Sequence, residues 1–205
     1  MHFSAFVLAL TMAAGSVSGV TIRNFRNTSC KGTTYKQCSG ILPWQCCSGG
    51  PTSSGVVSSS EFMGMPPTAL GSICKAKGAT NCGEVAHSGS GSRFCIGAAN
   101  CRGSLWMDCN YCSKRDLASG NGIPKELQGL SAESSVEPDT VAFDDHQFKF
   151  DDSVPADVKQ KFNDLFEAEA SYADIPEELR QYELKGSERR GLDDLEELEA
   201  SGQFE

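Results

Sequence analysis

The cysteines are the residues whose chemistry is clearest in this chain of 205 residues. Ten are present and all lie in one block: Cys30, Cys38, Cys46, Cys47, Cys74, Cys82, Cys95, Cys101, Cys109 and Cys112. Between positions 20 and 113 they make up ten of 94 residues, more than the roughly 8–10% that marks a disulfide scaffold. An even number in an exported chain predicts five disulfides.

The spacing of the cysteines leaves their pairing open. Cys46 and Cys47 are adjacent, and neighbouring cysteines rarely bond each other because the linking peptide would be strained. We therefore expect each to have a different partner. Cys109 and Cys112 have the Cys-x-x-Cys spacing of zinc and redox motifs, but in this setting disulfides are favoured over metal. No metal site and no cofactor is predicted.

Acid–base or nucleophilic catalysis has few candidate residues in the cysteine block. The block contains one histidine, His87, and three acids, Glu61, Glu84 and Asp108. Their spacing marks neither a Ser-His-acid arrangement nor a carboxylate pair. Gly89–Ser92 reads Gly-Ser-Gly-Ser without the lysine of a phosphate-binding loop. We predict that the protein is not an enzyme.

Two dibasic pairs are candidate processing sites. One residue, Ser113, separates Lys114-Arg115 from the last cysteine, and Arg189-Arg190 precedes the acidic end of the chain. Such pairs in polar segments are the substrates of kexin-type proteases of the secretory pathway. Asn27-Thr28-Ser29 is an N-glycosylation sequon, so Asn27 is a candidate glycan site.

The first residues predict export. An apolar run from Phe3 to Ala14 is followed by small residues, as in a signal peptide, and we assign it to residues 1–19. No later stretch is apolar enough to span a membrane. We expect a secreted, extracellular protein.

Charge divides the remaining chain in two. Residues 20–115 contain ten Lys and Arg against three Asp and Glu, and residues 116–205 contain eight against 24. This asymmetry predicts a basic mature domain at 20–113 and an acidic pro-segment or tail at 114–205. Six cations are candidates for binding an anionic surface, with no nucleic acid expected: Lys31, Lys36, Lys75, Lys77, Arg93 and Arg102.

Short glycine-rich segments between cysteines predict a small disulfide-rich domain, mainly β or α+β. Gly32 and Gly103 each follow a Cys-basic pair, which favours tight turns with positive φ. Residues 48–60 are rich in Gly and Ser and are expected to form a surface loop. Residues 62–70 concentrate apolar side chains that could form a binding loop or cover the core.

The acidic part is predicted to be partly helical and partly disordered. Val158, Phe162, Leu165 and Phe166 recur at helical spacing, and residues 176–186 form a second short helix. Residues 141–153 have the alternation of an extended segment that could lie against the basic domain.

The whole layout resembles the small secreted cysteine-rich proteins of filamentous fungi, which include effectors, elicitors and killer toxins. Asn100-Cys101-Arg102-Gly103-Ser104 is similar to a segment of the smut killer toxins. The resemblance implies a non-enzymatic virulence or toxin-like role outside the producing cell, against an anionic polymer, lipid or receptor of a host or competitor.

Two other functions remain open. The first is a secreted lectin-like or protease-inhibitor module that binds through residues 62–70 or through Trp44 and Trp106. The second is a small hydrolase that uses Glu84, His87 or Asp108.

Overall fold

The computed structural model describes residues 19–50, 55–108 and 132–185. These residues form strands β1–β11, one α-helix (α1) and two 3-10 helices. Their bounds are β1 Val20–Phe25, β2 Tyr35–Ile41, β3 Gln45–Ser48, β4 Val57–Met63, β5 Ala69–Lys77, β6 Thr80–Gly89, β7 Arg93–Cys101, β8 Gly103–Asp108, β9 Ser134–Val136, β10 Thr140–Phe143, β11 His146–Lys149, α1 Ala156–Glu167, and the 3-10 helices Tyr172–Asp174 and Glu177–Tyr182.

Several predicted features lie outside the described residues. These are the signal peptide apart from Gly19, the two dibasic pairs Lys114-Arg115 and Arg189-Arg190, and the cysteines Cys109 and Cys112. Their predictions stay predictions.

The strands form two sheets. Sheet A has the order β11-β10-β2-β1-β4-β7, and sheet B has the order β6-β5-β8-β3-β9. All pairs in sheet A are antiparallel, and in sheet B only β9 runs parallel to its neighbour β3. The prediction of a mainly β protein is confirmed.

The main core lies between the two sheets. Ile22 and Phe62 from sheet A pack with Trp106 and Ala69 from sheet B. Burial of such side chains is worth about 1.5–3 kcal/mol each. Gly71 is part of this fit, because a Cβ there would lie 2.6 Å from the Phe62 ring. At this point glycine leaves room for the aromatic side chain between the sheets.

A buried polar network also joins the sheets. The Oδ1 atom of Asn24 on β1 accepts hydrogen bonds from the hydroxyls of Ser60 and Ser104, each at 2.7 Å. Its Nδ2 donates to the carbonyl oxygen of Cys47 at 3.3 Å. Asn24, Ser60 and Ser104 are at most 1% exposed. Because both atoms of the amide have partners, its burial is tolerated.

The described part of the acidic half, residues 132–185, is called the C-terminal segment below. β10 and β11 form a hairpin whose turn residues, Asp144 and Asp145, have φ of 50° and 65°. Asp is one of the few non-glycine types that adopts such φ angles readily. Helix α1 packs on this hairpin, and one cluster contains the apolar residues of both: Val141, Phe143, Phe148, Phe150, Phe162, Phe166, Ile175 and Leu179.

The predicted helix around Phe162 is confirmed as α1. The second predicted helix is wrong in type, since residues 177–182 form a 3-10 helix. The extended segment is a hairpin rather than a single strand because two left-handed Asp residues reverse the chain.

Two local predictions in the cysteine block are wrong. Residues 57–60, expected in a surface loop, belong to β4, and Ser59 and Ser60 are fully buried because their hydroxyls are hydrogen-bonded. Gly32 and Gly103 do not have positive φ. Gly103 is required for space instead, since a Cβ there would lie 2.8 Å from the Cys47 carbonyl oxygen.

Candidate functional site

Three disulfides connect the described cysteines: Cys30–Cys95, Cys38–Cys47 and Cys46–Cys82. The prediction that Cys46 and Cys47 have different partners is confirmed. Successive side chains of a strand point to opposite faces. β3 is therefore fastened to sheet A by Cys47 on one face and to β6 by Cys46 on the other.

Cys74 and Cys101 are buried free thiols. Burial raises the pKa of both thiols, that of Cys101 to about 11, although Lys75 partly opposes the shift there. A thiol with a raised pKa is a poor nucleophile and a poor metal ligand at neutral pH. Within the described ranges, no three His, Cys, Asp or Glu residues group in a way that could hold a metal ion.

The candidate catalytic acids and histidine do not converge. Glu84 on β6 lies opposite Lys75 of β5, whereas Asp108 on β8 lies opposite Ala69 of β5. Six residues along a strand span roughly 20 Å, whereas the paired carboxylates of a glycosidase lie within roughly 10 Å of each other. His87 lies opposite Ile73, between those two positions. Glu61 is held in ion pairs with Arg93 at 2.9 Å and Arg23 at 3.9 Å.

Residues 62–70 cover the core rather than forming an apolar binding loop. Phe62 is 0% exposed, Leu70 2% and Met65 4%. Trp106 is also buried, and its indole N–H donates to the carbonyl oxygen of Ile41 at 2.7 Å. Trp44 remains half-buried at a position with φ of 63°.

Three of the six predicted surface cations meet at one end of sheet B. Lys75 and Lys77 are exposed at the end of β5. The N–H of Arg102 donates to the carbonyl oxygen of Cys74 at 2.8 Å, which places Arg102 beside Lys75. Among the residues that the structure describes, no ion pair involves these three side chains. We call Lys75, Lys77 and Arg102 the cationic end of sheet B.

The local backbone explains how this end is built. Gly78 has φ of 62° and lies in the turn between β5 and β6. A Cβ at Gly83 would lie 2.3 Å from the Cβ of Lys77, so only glycine lets β6 pass so close to that lysine. One guanidinium nitrogen of Arg102 is buried and has no hydrogen-bond partner in the described chain.

The other predicted cations are placed apart. Lys31 is exposed in the β1–β2 loop, and Arg93 is paired with Glu61. Lys36 is not a surface residue, and that prediction is wrong: it is 1% exposed. The C-terminal segment covers it.

Lys36 is held by neutral groups. Its Nζ donates to Oδ1 of Asn163 at 2.6 Å and to the carbonyl oxygen of Gly49 at 3.1 Å. The ammonium also lies 4.7 Å from the centroid of the Phe166 ring, within range of a cation–π interaction. Burial lowers the pKa of Lys36 to about 8. Gly50, with φ of 126°, borders the ammonium, and a Cβ there would lie 3.1 Å from Nζ.

Asn163 was missed at the sequence level. It lies on the buried side of α1 together with Phe162 and Phe166. A single amide within an apolar helical stripe is the signal that could have identified it, because such a group needs a buried polar partner. Its partner, Lys36, is more than a hundred residues away in the sequence and is identified only by the tertiary structure.

A cleft of about 290 Å³ lies where the β1–β2 loop meets the end of α1. Polar groups of Arg26, Thr33 and Thr34 face Glu169 and Phe166 across it. Arg26 and Glu169 form an ion pair at 3.5 Å. The cleft therefore consists of residues from both halves of the chain.

Asn27 is exposed at the border of this cleft. Its Oδ1 accepts hydrogen bonds from the N–H and hydroxyl of Ser29, and its Nδ2 donates to the carbonyl oxygen of Lys31 at 3.0 Å. The sequon thus lies in a surface turn.

A second histidine, His146, belongs to the C-terminal segment. Its Nδ1 lies 2.7 Å from Oε1 of Glu183, and its ring stacks on Tyr172 at a centroid distance of 3.5 Å. The Tyr172 hydroxyl donates to Oε2 of Glu183 at 3.1 Å. These contacts fasten the 3-10 helices to β11.

None of the helices in the described ranges is long and apolar enough to cross a membrane. No curated protein and no solved structure was found to match the chain. A family model described as ARB_05566_N, N-terminal domain, matches residues 21–139. This range is more than half of the chain, runs from β1 through β9, and includes residues on both sides of Lys114-Arg115. The chain therefore belongs to the ARB_05566_N family, with its N-terminal domain at residues 21–139.

Proposed function

We propose that this is a secreted, non-enzymatic, effector-like or toxin-like protein that acts outside the producing cell on a host or competitor. The observation that carries the proposal is the cationic end of sheet B. Lys75 and Lys77 lie there on β5 and Arg102 lies between β7 and β8, and the acid opposite Lys75 in the register is Glu84.

Clustered cations attract anionic polymers and membrane surfaces and accelerate the encounter with them. Lys75 and Lys77 project from a hairpin that Gly78 and Gly83 hold in a tight shape. A rigid hairpin loses little conformational entropy on binding. The partner in this proposal is an anionic component of the target cell surface, bound from the hairpin side.

Production begins, in this proposal, with a precursor that carries a signal peptide at 1–19 and is cut after Lys114-Arg115 by a kexin-type protease. The exposed turn at Asn27 supports glycosylation there. The acidic remainder, including Arg189-Arg190, belongs to the precursor.

Five disulfides are also part of the proposal. Three are described, and the remaining cysteines form two more bridges: Cys74, Cys101, Cys109 and Cys112. The backbone bond from Arg102 to Cys74 supports this, because it places the end of β7, where Cys101 lies, beside Cys74 on β5.

The experiment compares binding of the full-length secreted protein and a K75A/K77A variant to isolated cell walls and to vesicles containing phosphatidylserine. We expect wild-type binding to fall steeply between about 50 and 500 mM salt, because a screening length of roughly 10 Å at 0.1 M shrinks further with added salt. K75A/K77A is expected to bind at least tenfold more weakly at low salt.

The matched control is K149A/K161A. It removes the same charge from two lysines of the C-terminal segment whose side chains are 46% and 52% exposed. This variant is expected to bind like wild type. Binding that is insensitive to salt, or equal losses in the two double variants, would contradict a role for the cationic end of sheet B.

A further inference from the structure

The C-terminal segment supplies an edge strand to each sheet. β10 pairs with β2 through the pairs Thr140–Gln37, Val141–Lys36 and Ala142–Tyr35. β9 pairs in parallel with β3, and the N–H of Glu133 extends this contact by donating to the carbonyl oxygen of Trp44 at 3.0 Å. Without the segment, β2 and β3 would both be unpaired edges, which proteins normally protect.

Polar side chains strengthen the junction with β2. The carboxylate of Asp139 accepts hydrogen bonds from the N–H of Ser39 at 2.5 Å and from its hydroxyl at 3.2 Å. The N–H of Asp139 donates to the carbonyl oxygen of Gln37 at 2.9 Å. On the other side, Gln147 donates to the hydroxyl of Tyr35 at 3.0 Å.

Lys36 anchors the centre of this junction. Its ammonium is enclosed by Asn163 and Phe166 of the C-terminal segment and by Gly49 of the disulfide-rich half, residues 19–108. Apolar contact continues beside it, where Ala142 packs against Tyr35 and Phe25. The junction thus combines strand pairing, a buried hydrogen bond to a charged group and apolar burial.

No covalent bond can retain the segment once the chain is cut after Arg115, since the last cysteine is Cys112. We infer that the β2 edge, the β3 edge and Lys36 form a peptide-binding surface whose ligand is the chain's own C-terminal segment. The product of cleavage is then a two-chain, noncovalent protein rather than a released basic domain. This inference rests on the proposed processing and adds the fate of the acidic part.

The test separates this inference from natural processing. Lys114-Arg115 is replaced by a recognition site for a viral cysteine protease that the host cell lacks, and the purified full-length protein is cut in vitro. We expect both fragments to elute together in gel filtration at micromolar concentration and to give one complex in native mass spectrometry. Fragments that elute separately would overturn the inference, whether or not a kexin-type protease cuts the natural chain.

Asn163→Leu tests the anchor. A buried hydrogen bond to a charged group is worth roughly 1.5–3 kcal/mol, so loss of this bond is expected to weaken association of the cut protein by about tenfold or more. Gln160→Leu is the matched control, because Gln160 is exposed on the same helix and, among the described residues, its side chain bonds to Asp164 of that helix. Equal affinities for the two variants would contradict the role of the anchor.

Hydrogen exchange gives a second readout, and it needs no substitution at the junction that could disturb folding. Residues 35–37 pair with β10, and the N–H groups of a strand between two antiparallel neighbours point alternately to one neighbour and the other. The amides of this stretch that face β10 are expected to stay as protected in the cut protein as in the uncut one. Fast exchange at these amides after cleavage, with the amides of β5 still protected, would show that the segment has left and would overturn the inference.

Discussion

Lys36 makes the stability of this protein depend on pH in the alkaline range. Its pKa is lowered from 10.5 to about 8, first because burial removes the ammonium from water; Glu167 and Glu137 oppose the shift and Arg26 adds to it. Between about pH 8 and 10.5 the unfolded chain therefore binds more protons at this site than the folded chain. The contribution of Lys36 to the free energy of unfolding rises with pH across that window and is flat below it.

The size of the effect follows from the shift. Lowering the pKa from 10.5 to about 8 corresponds to about 3 kcal/mol, at 1.36 kcal/mol per unit. Lys36 is 1% exposed, so solvent does not screen the effect.

Lys36→Met keeps the unbranched aliphatic chain and removes the charge. At pH 7 the loss of the hydrogen bonds to Asn163 and Gly49, about 1–3 kcal/mol each, is offset by relief of the buried charge. The net change at pH 7 is therefore small. At pH 10.5 only the losses remain, and the variant is expected to be about 3 kcal/mol less stable relative to wild type than at pH 7.

The assay is denaturant unfolding followed by tryptophan fluorescence, with disulfides intact, at intervals from pH 7 to 10.5. Subtracting the variant from wild type cancels groups that titrate in both proteins. Lys149→Met, at a side chain that is 46% exposed, is the control for removal of a lysine charge. A flat or falling difference for Lys36→Met would refute the reasoning.

Two further predictions concern the disulfide-rich half. Gly103→Ala puts a Cβ 2.9 Å from the sulfurs of Cys46 and Cys82 and is expected to lower the unfolding free energy by about 1–3 kcal/mol. Gly32→Ala is the control, because its Cβ meets only the flexible Asn27 amide, and its loss of unfolding free energy is expected to be smaller. Equal losses in the two variants would contradict the packing argument. Alkylation of the secreted protein in denaturant without reductant is expected to modify no cysteine, whereas modification of Cys74 and Cys101 would contradict five disulfides.

Local patterns were sufficient where the determining contacts are close in sequence. The recurrence of Phe162 and Phe166 predicted α1, because a helix shows its buried face at a spacing of three to four residues. The strain of bonding adjacent cysteines predicted separate partners for Cys46 and Cys47. The mainly β fold also followed from short glycine-rich segments.

Long-range contacts account for what the sequence did not indicate. β2 contains Lys36 and Gln37 and looks like a surface strand, yet it is central in sheet A because β10 arrives from a hundred residues away. Ser59 and Ser60 looked like loop residues, and their hydroxyls are buried only because Asn27 and Asn24 accept from them. Such partners are not visible in a local pattern.

The charge asymmetry between the two halves does not account for how the C-terminal segment is held. The ion pair between Arg26 and Glu169 crosses the junction at 3.5 Å, but the Glu169 side chain is 73% exposed, so this pair contributes little to holding the segment. Lys36 is bound by an amide and a carbonyl group, and Lys75 and Lys77 form no ion pair with the segment among the residues that the structure describes. Strand pairing and apolar burial hold the C-terminal segment, so its acidic excess is available for solubility and for the field around the protein. Under the proposed function, we expect Lys75 and Lys77 to be available to an anionic partner while the segment is still in place.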